Sequence, residues 1–408
     1  MKLLFFILLT ILNNIAFSQQ IREKDLAVVL DTAMERPIRS NTVLNRDSLM
    51  PERWYQSVLR AYLQTPVGDA LRDENRYSEW QLVSMRIVPC KPMIRSTRHN
   101  PEVNCWPEVR LVLQPIVDRL RTNRGFIENF ADDRAVHMLY DVPAQLLGPE
   151  AEELSALKTK LASTIANFTG ANISAFTTNE QSRFIFLRNK LTSILMNDTI
   201  QLRTGNIPDN EYAGHGIRPE LLFLNSQESF RSKLIFFLAR YSFAANLKAF
   251  TSFSLPRGRA PASIDDWIFL AFSPTRSGDI TSSNVSIFDM NNGRRLIELP
   301  SATRGTMRRD SDLFYDIDVE DTAFLPLKKQ VFLFNTEEYR DAVQNINDPH
   351  MIGVNNTSCA SCHRLNSPRF NFHNLSKLGN DDVNVSRRVV NDVDYDLEWL
   401  IDEFNGSN

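Results

Sequence analysis

Three stretches of the chain alternate apolar and polar residues with a period of two, and this pattern limits the fold more than any other. The apolar positions are, in chain order, Val83, Met85, Ile87, Val109, Leu111, Leu113, Val136, Met138, Tyr140 and Val142. Successive side chains of a strand point to opposite faces, so each stretch predicts a β-strand with one buried face. Dense apolar runs at 234–237, 267–272 and 331–334 predict further, fully buried strands. Asn292-Gly293 between two apolar pairs predicts a hairpin.

Helical spacing of apolar residues predicts the remaining elements. Helices are expected after Pro51, after Pro149, over 184–195 and after Ser386, and the segment 19–77 is expected to be mostly helical. In the last helix, one apolar face is expected to pack on the body of the protein; it comprises Val389, Val390, Val393, Leu397, Leu400, Ile401 and Phe404. The sequence therefore predicts an α+β protein, with a large mixed β-sheet body, packed helices and a short, mostly helical C-terminal segment.

The first eighteen residues resemble a secretory signal peptide. Lys2 precedes an apolar run from Leu3 to Leu12, and Ala16-Phe17-Ser18 offers small residues for cleavage near Ser18. That run is too short to span a bilayer, and no later stretch is apolar for long enough, so no transmembrane anchor is expected. We therefore expect a secreted or periplasmic protein. Its net charge of -3 gives no electrostatic basis for nucleic-acid binding.

Length and composition allow several structural units. A chain of 408 residues with 43% hydrophobic residues can bury a large core. We predict a signal peptide at 1–18, a helical then β-rich unit at 19–150, a helical hairpin and β-rich unit at 151–344, and a C-terminal segment at 345–408. The polar stretch 345–358 is predicted to be a linker that leads into that segment.

Two cysteines and a histidine near the C-terminus carry the clearest chemical signal. They lie in Cys359-Ala360-Ser361-Cys362-His363, which is a C-x-x-C-H pattern. The pattern resembles the haem-attachment site of c-type cytochromes. That resemblance covers these five residues and implies one covalent haem c, with Cys359 and Cys362 forming thioethers and His363 binding the iron axially. Bacteria attach such haems outside the cytoplasm, in agreement with the export signal.

The sixth iron ligand stays open at the level of sequence. Only residues 364–408 follow the motif and none is Met, so the walls of a haem pocket must come largely from the body. His373 is the first candidate; the others are His350, Met351, His137, Met138 and His215. Two strong ligands would favour electron transfer, whereas an open face would permit peroxidase- or oxidase-like chemistry. Arg134 and His137 do not form a convincing catalytic pair, so no catalytic residue is assigned.

Two further features are interpreted structurally. Cys90 and Cys105 bracket one loop and are predicted to form a disulfide, because an oxidising compartment favours it. Asp392, Asp394 and Asp396 lack the glycine and glutamate of a helix-loop-helix calcium site and are interpreted as a solvated acidic face.

Three functions fit these observations. The first is an exported monohaem c-type cytochrome-like protein that exchanges electrons with a redox partner protein or a small-molecule donor or acceptor. The second is a haem enzyme with an open axial site. The third is a haem-free secreted binding protein, in which Cys359 and Cys362 form a disulfide or bind a metal.

Overall fold

A computed structural model describes residues 21–30, 36–45, 47–63, 77–90, 106–120, 127–131, 135–166, 177–254, 268–282, 285–289, 295–299, 385 and 387–405. The described helices are α1 (Glu23–Leu26), α2 (Glu52–Leu63), α3 (Ala151–Ala166), α4 (Thr178–Ile200), α5 (Leu224–Tyr241) and α6 (Arg387–Asn405). The described strands are β1 (Ala27–Val29), β2 (Val43–Leu44), β3 (Asp47–Ser48), β4 (Trp80–Val88), β5 (Glu108–Leu120), β6 (Ile127–Ala131), β7 (Ala135–Asp141), β8 (Leu247–Ser254), β9 (Ile268–Pro274), β10 (Ile280–Ser282), β11 (Val285–Asp289) and β12 (Arg295–Leu299).

One large sheet organises the body. Its strand order is β1-β4-β5-β7-β8-β9-β10, with β6 paired to β5, and each of these pairings is antiparallel. The register places a row of apolar side chains across six strands, and each is at most 2% exposed: Val28, Met85, Leu111, Met138, Phe250 and Phe272. Directly opposed residues of neighbouring strands share a face, so this row forms the centre of the core.

Strand β5 changes its partner along its length. Glu108 to Leu113 pairs with β7, whereas Ile116 to Leu120 pairs with β6. Pro115, opposite Trp80 of β4, lies between these two ladders. A proline has no N–H to donate to a neighbouring strand. It is therefore tolerated here, where β5 leaves one partner strand and joins another.

Helix α2 is attached to the sheet through Trp54. Its ring contacts Phe250 edge-on, with 6.0 Å between ring centroids. Its indole N–H donates to the carbonyl oxygen of Gly278 at 2.9 Å. Gly278, in the turn between β9 and β10, has a φ of 81°, a conformation that favours glycine. The turn thus presents its carbonyl to the helix without the strain that a side chain would add.

Much of the predicted architecture is confirmed. The α+β class is observed, and the three alternating stretches form β4, β5 and β7. The two strands of the predicted hairpin pair as β11 and β12, with Ile287 opposite Ile297, while the Asn292-Gly293 turn lies outside the described residues. The helices expected after Pro51, after Pro149, over 184–195 and after Ser386 are also present. The predicted strand at 331–334 and the linker at 345–358 lie outside the described residues.

Three expectations were wrong. The run 234–237 is not a strand but part of helix α5. The segment 19–77 is not mostly helical in its described part, which contains strands β1 to β3 beside α1 and α2. The main sheet is antiparallel in its described pairings rather than mixed. Strands β7 and β8, from the two predicted units, pair directly, and the unit boundaries themselves stay predictions.

Candidate functional site

The predicted haem ligands are not among the described residues. Cys359, Cys362, His363 and His373 all fall outside them, as do His350 and Met351. The assignment of a haem to this segment therefore stays a prediction. The structure does describe the helix that follows the motif in the chain, α6, and the surface on which that helix lies.

Helix α6 is packed into the body. Val393, Leu397 and Leu400 are buried and belong to the same core cluster as the sheet row. Ile401, which the sequence places on the same face, is exposed instead. Tyr395 is buried, so the contact face is rotated relative to the predicted one. The apolar spacing thus predicted the docking of this helix correctly but not its full set of buried positions.

Polar contacts join α6 to three separate parts of the body. The carboxylate of Asp396 pairs with the guanidinium of Arg86 in β4. Asp394 Oδ1 lies 3.1 Å from Nε2 of His215. The amide of Asn189 in α4 donates to Glu403 Oε1 at 2.6 Å. These contacts fix the helix against β4, α4 and the turn that carries His215.

The acidic run of α6 is therefore not a solvated face, contrary to the sequence interpretation. Asp394 and Asp396 each contact a basic residue of the body. Asp392 pairs with Arg388 one helical turn earlier, at 2.9 Å. Carboxylates at every second position of a sequence indicate a solvated face. In the folded chain, however, Asp392, Asp394 and Asp396 each contact a side-chain nitrogen. Asp394 and Asp396 contribute to docking, whereas Asp392 pairs within the helix and the Asp394 side chain stays half-exposed.

The candidate axial ligands in the body lie in different environments. Met138 is fully buried in the core row, and its Sδ accepts a hydrogen bond from Tyr140 at 3.4 Å. This packing leaves no route for its sulfur to an iron atom. His137 is the neighbouring residue of β7 and points to the other face of the sheet.

His215 is the body histidine that contacts the helix after the motif. It sits between Gly214 and Gly216, whose φ values of 71° and 126° lie in the region that favours glycine. Its Nε2 faces Asp394, and its Nδ1 is buried without a hydrogen-bond partner in the described structure. A buried imidazole nitrogen without a partner is the kind of atom that a metal could satisfy.

A buried charge network was missed by the sequence analysis. Arg218 is fully buried; it donates to Glu220 through Nε and Nη2, at 3.0 and 2.9 Å, and to Asp25 through Nη1 at 3.0 Å. Arg203 also pairs with Asp25, and Tyr212 donates to Glu220 at 2.9 Å. Four members lie within 203–220, but Asp25 is 193 residues from Arg218, and no sequence pattern indicated that these groups meet in the interior. Every charge in this network is balanced, which is typical of a structural role.

A second charged cluster lies at one end of β5. Glu108 accepts from Lys248 at 2.6 Å and from Arg110 at 2.6 Å. Burial alone would raise the pKa of this carboxyl, but the two cations outweigh it and hold the pKa at about 2. Glu108 is therefore ionised at neutral pH, and nothing in this cluster resembles a proton donor or acceptor for catalysis.

The predicted disulfide is only half described. Cys90 is buried and follows the end of β4, with a φ of 79°. Cys105 falls outside the described residues, so its pairing with Cys90 stays a prediction.

Searches for metal centres and for related proteins gave no assignment. No group of three or more His, Cys, Asp or Glu side chains suited to a metal ion is found in the described parts of the chain. None of the helices described is both long enough and apolar enough to cross a membrane. Family models, curated proteins and solved structures yielded no match to this chain.

Proposed function

We propose that this chain is an exported monohaem c-type protein that transfers electrons. Cys359 and Cys362 hold one haem c through thioether bonds, and His363 binds its iron. The observation that carries the proposal is the complete C-x-x-C-H motif, which occurs behind an export signal in the same chain. Bound haem would supply an iron that takes up and releases one electron.

The docking of α6 supports a haem that lies against the body. The motif ends at His363, and residues 364–386 connect it to α6, whose Val393 and Leu400 are in the core. This connection keeps the motif within reach of the body, on which the haem is proposed to lie. In this proposal the body supplies the burial that a haem needs.

Histidines of this chain would be the ligands of the proposed haem iron. His363 follows the second thiol directly, so attachment of the porphyrin places its imidazole beside the metal. On the other side His373 stays the first candidate. His215 is the body candidate that the geometry favours, because its buried Nδ1 lacks a partner and the residue contacts α6. Met138 is excluded as the sixth iron ligand, because its side chain is enclosed in the core.

Replacement of both motif thiols tests the proposal. Purified wild-type protein, denatured in alkaline pyridine, should retain its haem and show a c-type absorption band, and its tail peptide should carry the mass of haem. The Cys359→Ala/Cys362→Ala variant should carry none. The matched control, Cys90→Ala/Cys105→Ala, should keep the covalent haem. A wild-type tail peptide with an unmodified mass, or with the mass of a disulfide, would establish the haem-free alternative instead.

A haem enzyme with an open axial site is the second candidate, and it requires that neither His373 nor His215 binds the iron. If no strong sixth ligand is present, carbon monoxide should shift the Soret band of the reduced protein. If the spectrum is low-spin in both redox states and unchanged by carbon monoxide, electron transfer is the remaining haem function.

A further inference from the structure

A groove remote in sequence from the haem motif opens between helices α4 and α5. Asp198 of α4 and Leu202 just beyond it line one side, and Lys233, Phe236, Phe237 and Arg240 of α5 line the other. Its volume is about 360 Å³. We call it the α4–α5 groove. This volume admits one or two large side chains of a partner but is small for an extended ligand.

Phe236 is the unusual residue of this groove. Its side chain is 72% exposed, although it lies in the middle of a well-packed helix. Leu202 and Phe237 beside it are almost fully buried, and the ring of Phe237 is held 4.5 Å from that of Tyr241. The groove therefore has a fixed apolar floor with an aromatic ring standing at its edge. An exposed aromatic ring next to an apolar concavity is typical of a binding anchor.

The rim of the groove is positive. Lys233, Phe236 and Arg240 are spaced i, i+3 and i+7 and so form one stripe along α5. Asp198 does not offset both cations, because its carboxylate already accepts from Arg240 at 3.0 Å and from the hydroxyl of Tyr241 at 2.5 Å. The exposed ammonium of Lys233 contacts only a backbone acceptor in the described structure, the carbonyl oxygen of Arg203. Two cations and one partly buried carboxylate leave a net positive rim.

We propose that the α4–α5 groove binds an acidic amphipathic segment of a partner protein. An apolar side chain of the partner packs on Leu202, Phe236 and Phe237, while its carboxylates face Lys233 and Arg240. A concave site with one anchor ring suits a peptide side chain, whereas a membrane surface needs a convex face with several apolar residues in one plane. The surface does not involve the haem residues, so the proposal is independent of the proposed electron transfer.

Binding of a synthetic probe tests the proposal with the full mature chain. The probe is a fluorescein-labelled helical peptide with leucines on one face and glutamates on the other, followed by fluorescence anisotropy. The wild-type protein should bind it saturably, and affinity should fall as salt is raised. A peptide with lysines in place of the glutamates should not bind.

Variants of the chain separate the two parts of the site. Phe236→Ser should weaken binding by about tenfold or more, as loss of an anchor ring does. Lys233→Glu should weaken it and reduce the salt dependence. Phe186→Ser is the matched control, because Phe186 is an exposed phenylalanine on α4 outside the groove; it should leave binding unchanged. Circular dichroism and thermal unfolding of each variant verify that it is folded.

Other results would overturn the proposal. One is equal binding by the wild-type protein and a folded Phe236→Ser variant, and another is no binding by either. If phosphatidylglycerol vesicles bind in the same Phe236-dependent way and the peptide does not, the surface is a lipid contact. If sedimentation shows a dimer that Phe236→Ser dissociates, the occupant is a second copy of the chain. The Cys359→Ala/Cys362→Ala variant should bind the probe like wild type, so failure here is distinguishable from failure of the haem proposal.

Discussion

The guanidinium of Arg86 in β4 forms an ion pair with the carboxylate of Asp396 in α6, across 310 residues of sequence. Both side chains are largely buried, at 16% and 10% exposure. Arg86 also donates to the carbonyl oxygens of Leu26 and Ile87. The last helix is therefore held by a specific charged contact with the sheet as well as by apolar packing, and it is a component of the body.

Loss of the Asp396 charge should destabilise the protein. Asp396→Asn leaves the guanidinium of Arg86 in a largely buried position without its counter-charge, and we expect the free energy of unfolding to fall by about 3 kcal/mol. Asp394→Asn is the control, because the Asp394 side chain is 50% exposed in its pair with His215; we expect a loss below about 1 kcal/mol. Urea denaturation measures both. Equal, small losses of unfolding free energy in the two variants would show that the Arg86–Asp396 pair contributes little to stability.

Arg218 should not be replaceable by lysine. Its planar guanidinium contacts Glu220 through two nitrogens and Asp25 through a third, and an ammonium group cannot satisfy both carboxylates in that geometry. Arg218→Lys should lower the free energy of unfolding by about 3 kcal/mol. Arg22→Lys, which alters an exposed pair with Asp209, should change it by less than about 1 kcal/mol. A stable Arg218→Lys variant in urea titrations would contradict the structural role assigned to the network.

Glu108 should contribute to acid sensitivity. Although burial opposes ionisation, Lys248 and Arg110 lower the pKa of Glu108 to about 2, below its ordinary value of 4.5. A lowered folded-state pKa gives stability that is present above pH 4.5 and is lost as pH falls toward 2. In urea titrations at neutral pH, the Glu108→Gln variant should be less stable than the wild type. Between pH 4.5 and pH 2, its free energy of unfolding should fall by less than that of the wild type. An unchanged slope between the two pH values would show that other carboxyls dominate.

Thr177 should stabilise the start of α4. Its hydroxyl oxygen accepts from the Glu180 N–H at 3.3 Å, and a Glu180 carboxylate oxygen accepts from the Thr177 N–H at 3.0 Å, which together form a capping box. Thr177→Ala should cost about 1 kcal/mol of unfolding free energy. The adjacent Thr178→Ala is the matched control, since Thr178 is also exposed but lies within the helix. A loss of equal size in both variants would contradict the capping role.

Secondary structure was predicted best from the sequence where the apolar residues followed a single periodicity. The period of two through Val109, Leu111 and Leu113 had one interpretation, and β5 confirms it. The run 234–237 misled because four adjacent apolar residues fit a buried strand and a buried helix equally well. The helix is revealed by a longer window, in which Phe230, Leu234 and Tyr241 all lie on the buried side of α5.

The roles of charged residues were predicted least well, because burial and contacts with residues distant in sequence determine whether a charge is solvated or paired. Asp396 and Arg218 look like surface residues in sequence, yet each is paired inside the fold. Arg86 lies 310 residues from Asp396 and Asp25 lies 193 residues from Arg218, and composition or spacing does not encode such pairs. The candidate site shows the same limit: the motif was recognisable from five letters, but the contact between His215 and α6 required the tertiary structure.

The position of α6 also has a consequence for biogenesis. Arg86 is synthesised long before Asp396, so the growing chain carries a cation in β4 without this counter-charge until α6 emerges. The Arg86–Asp396 contact therefore cannot form before residue 396 is made, and contacts this distant in sequence form late in folding. The thiols at 359 and 362 emerge before α6, so the proposed haem attachment can take place before α6 has docked on the body.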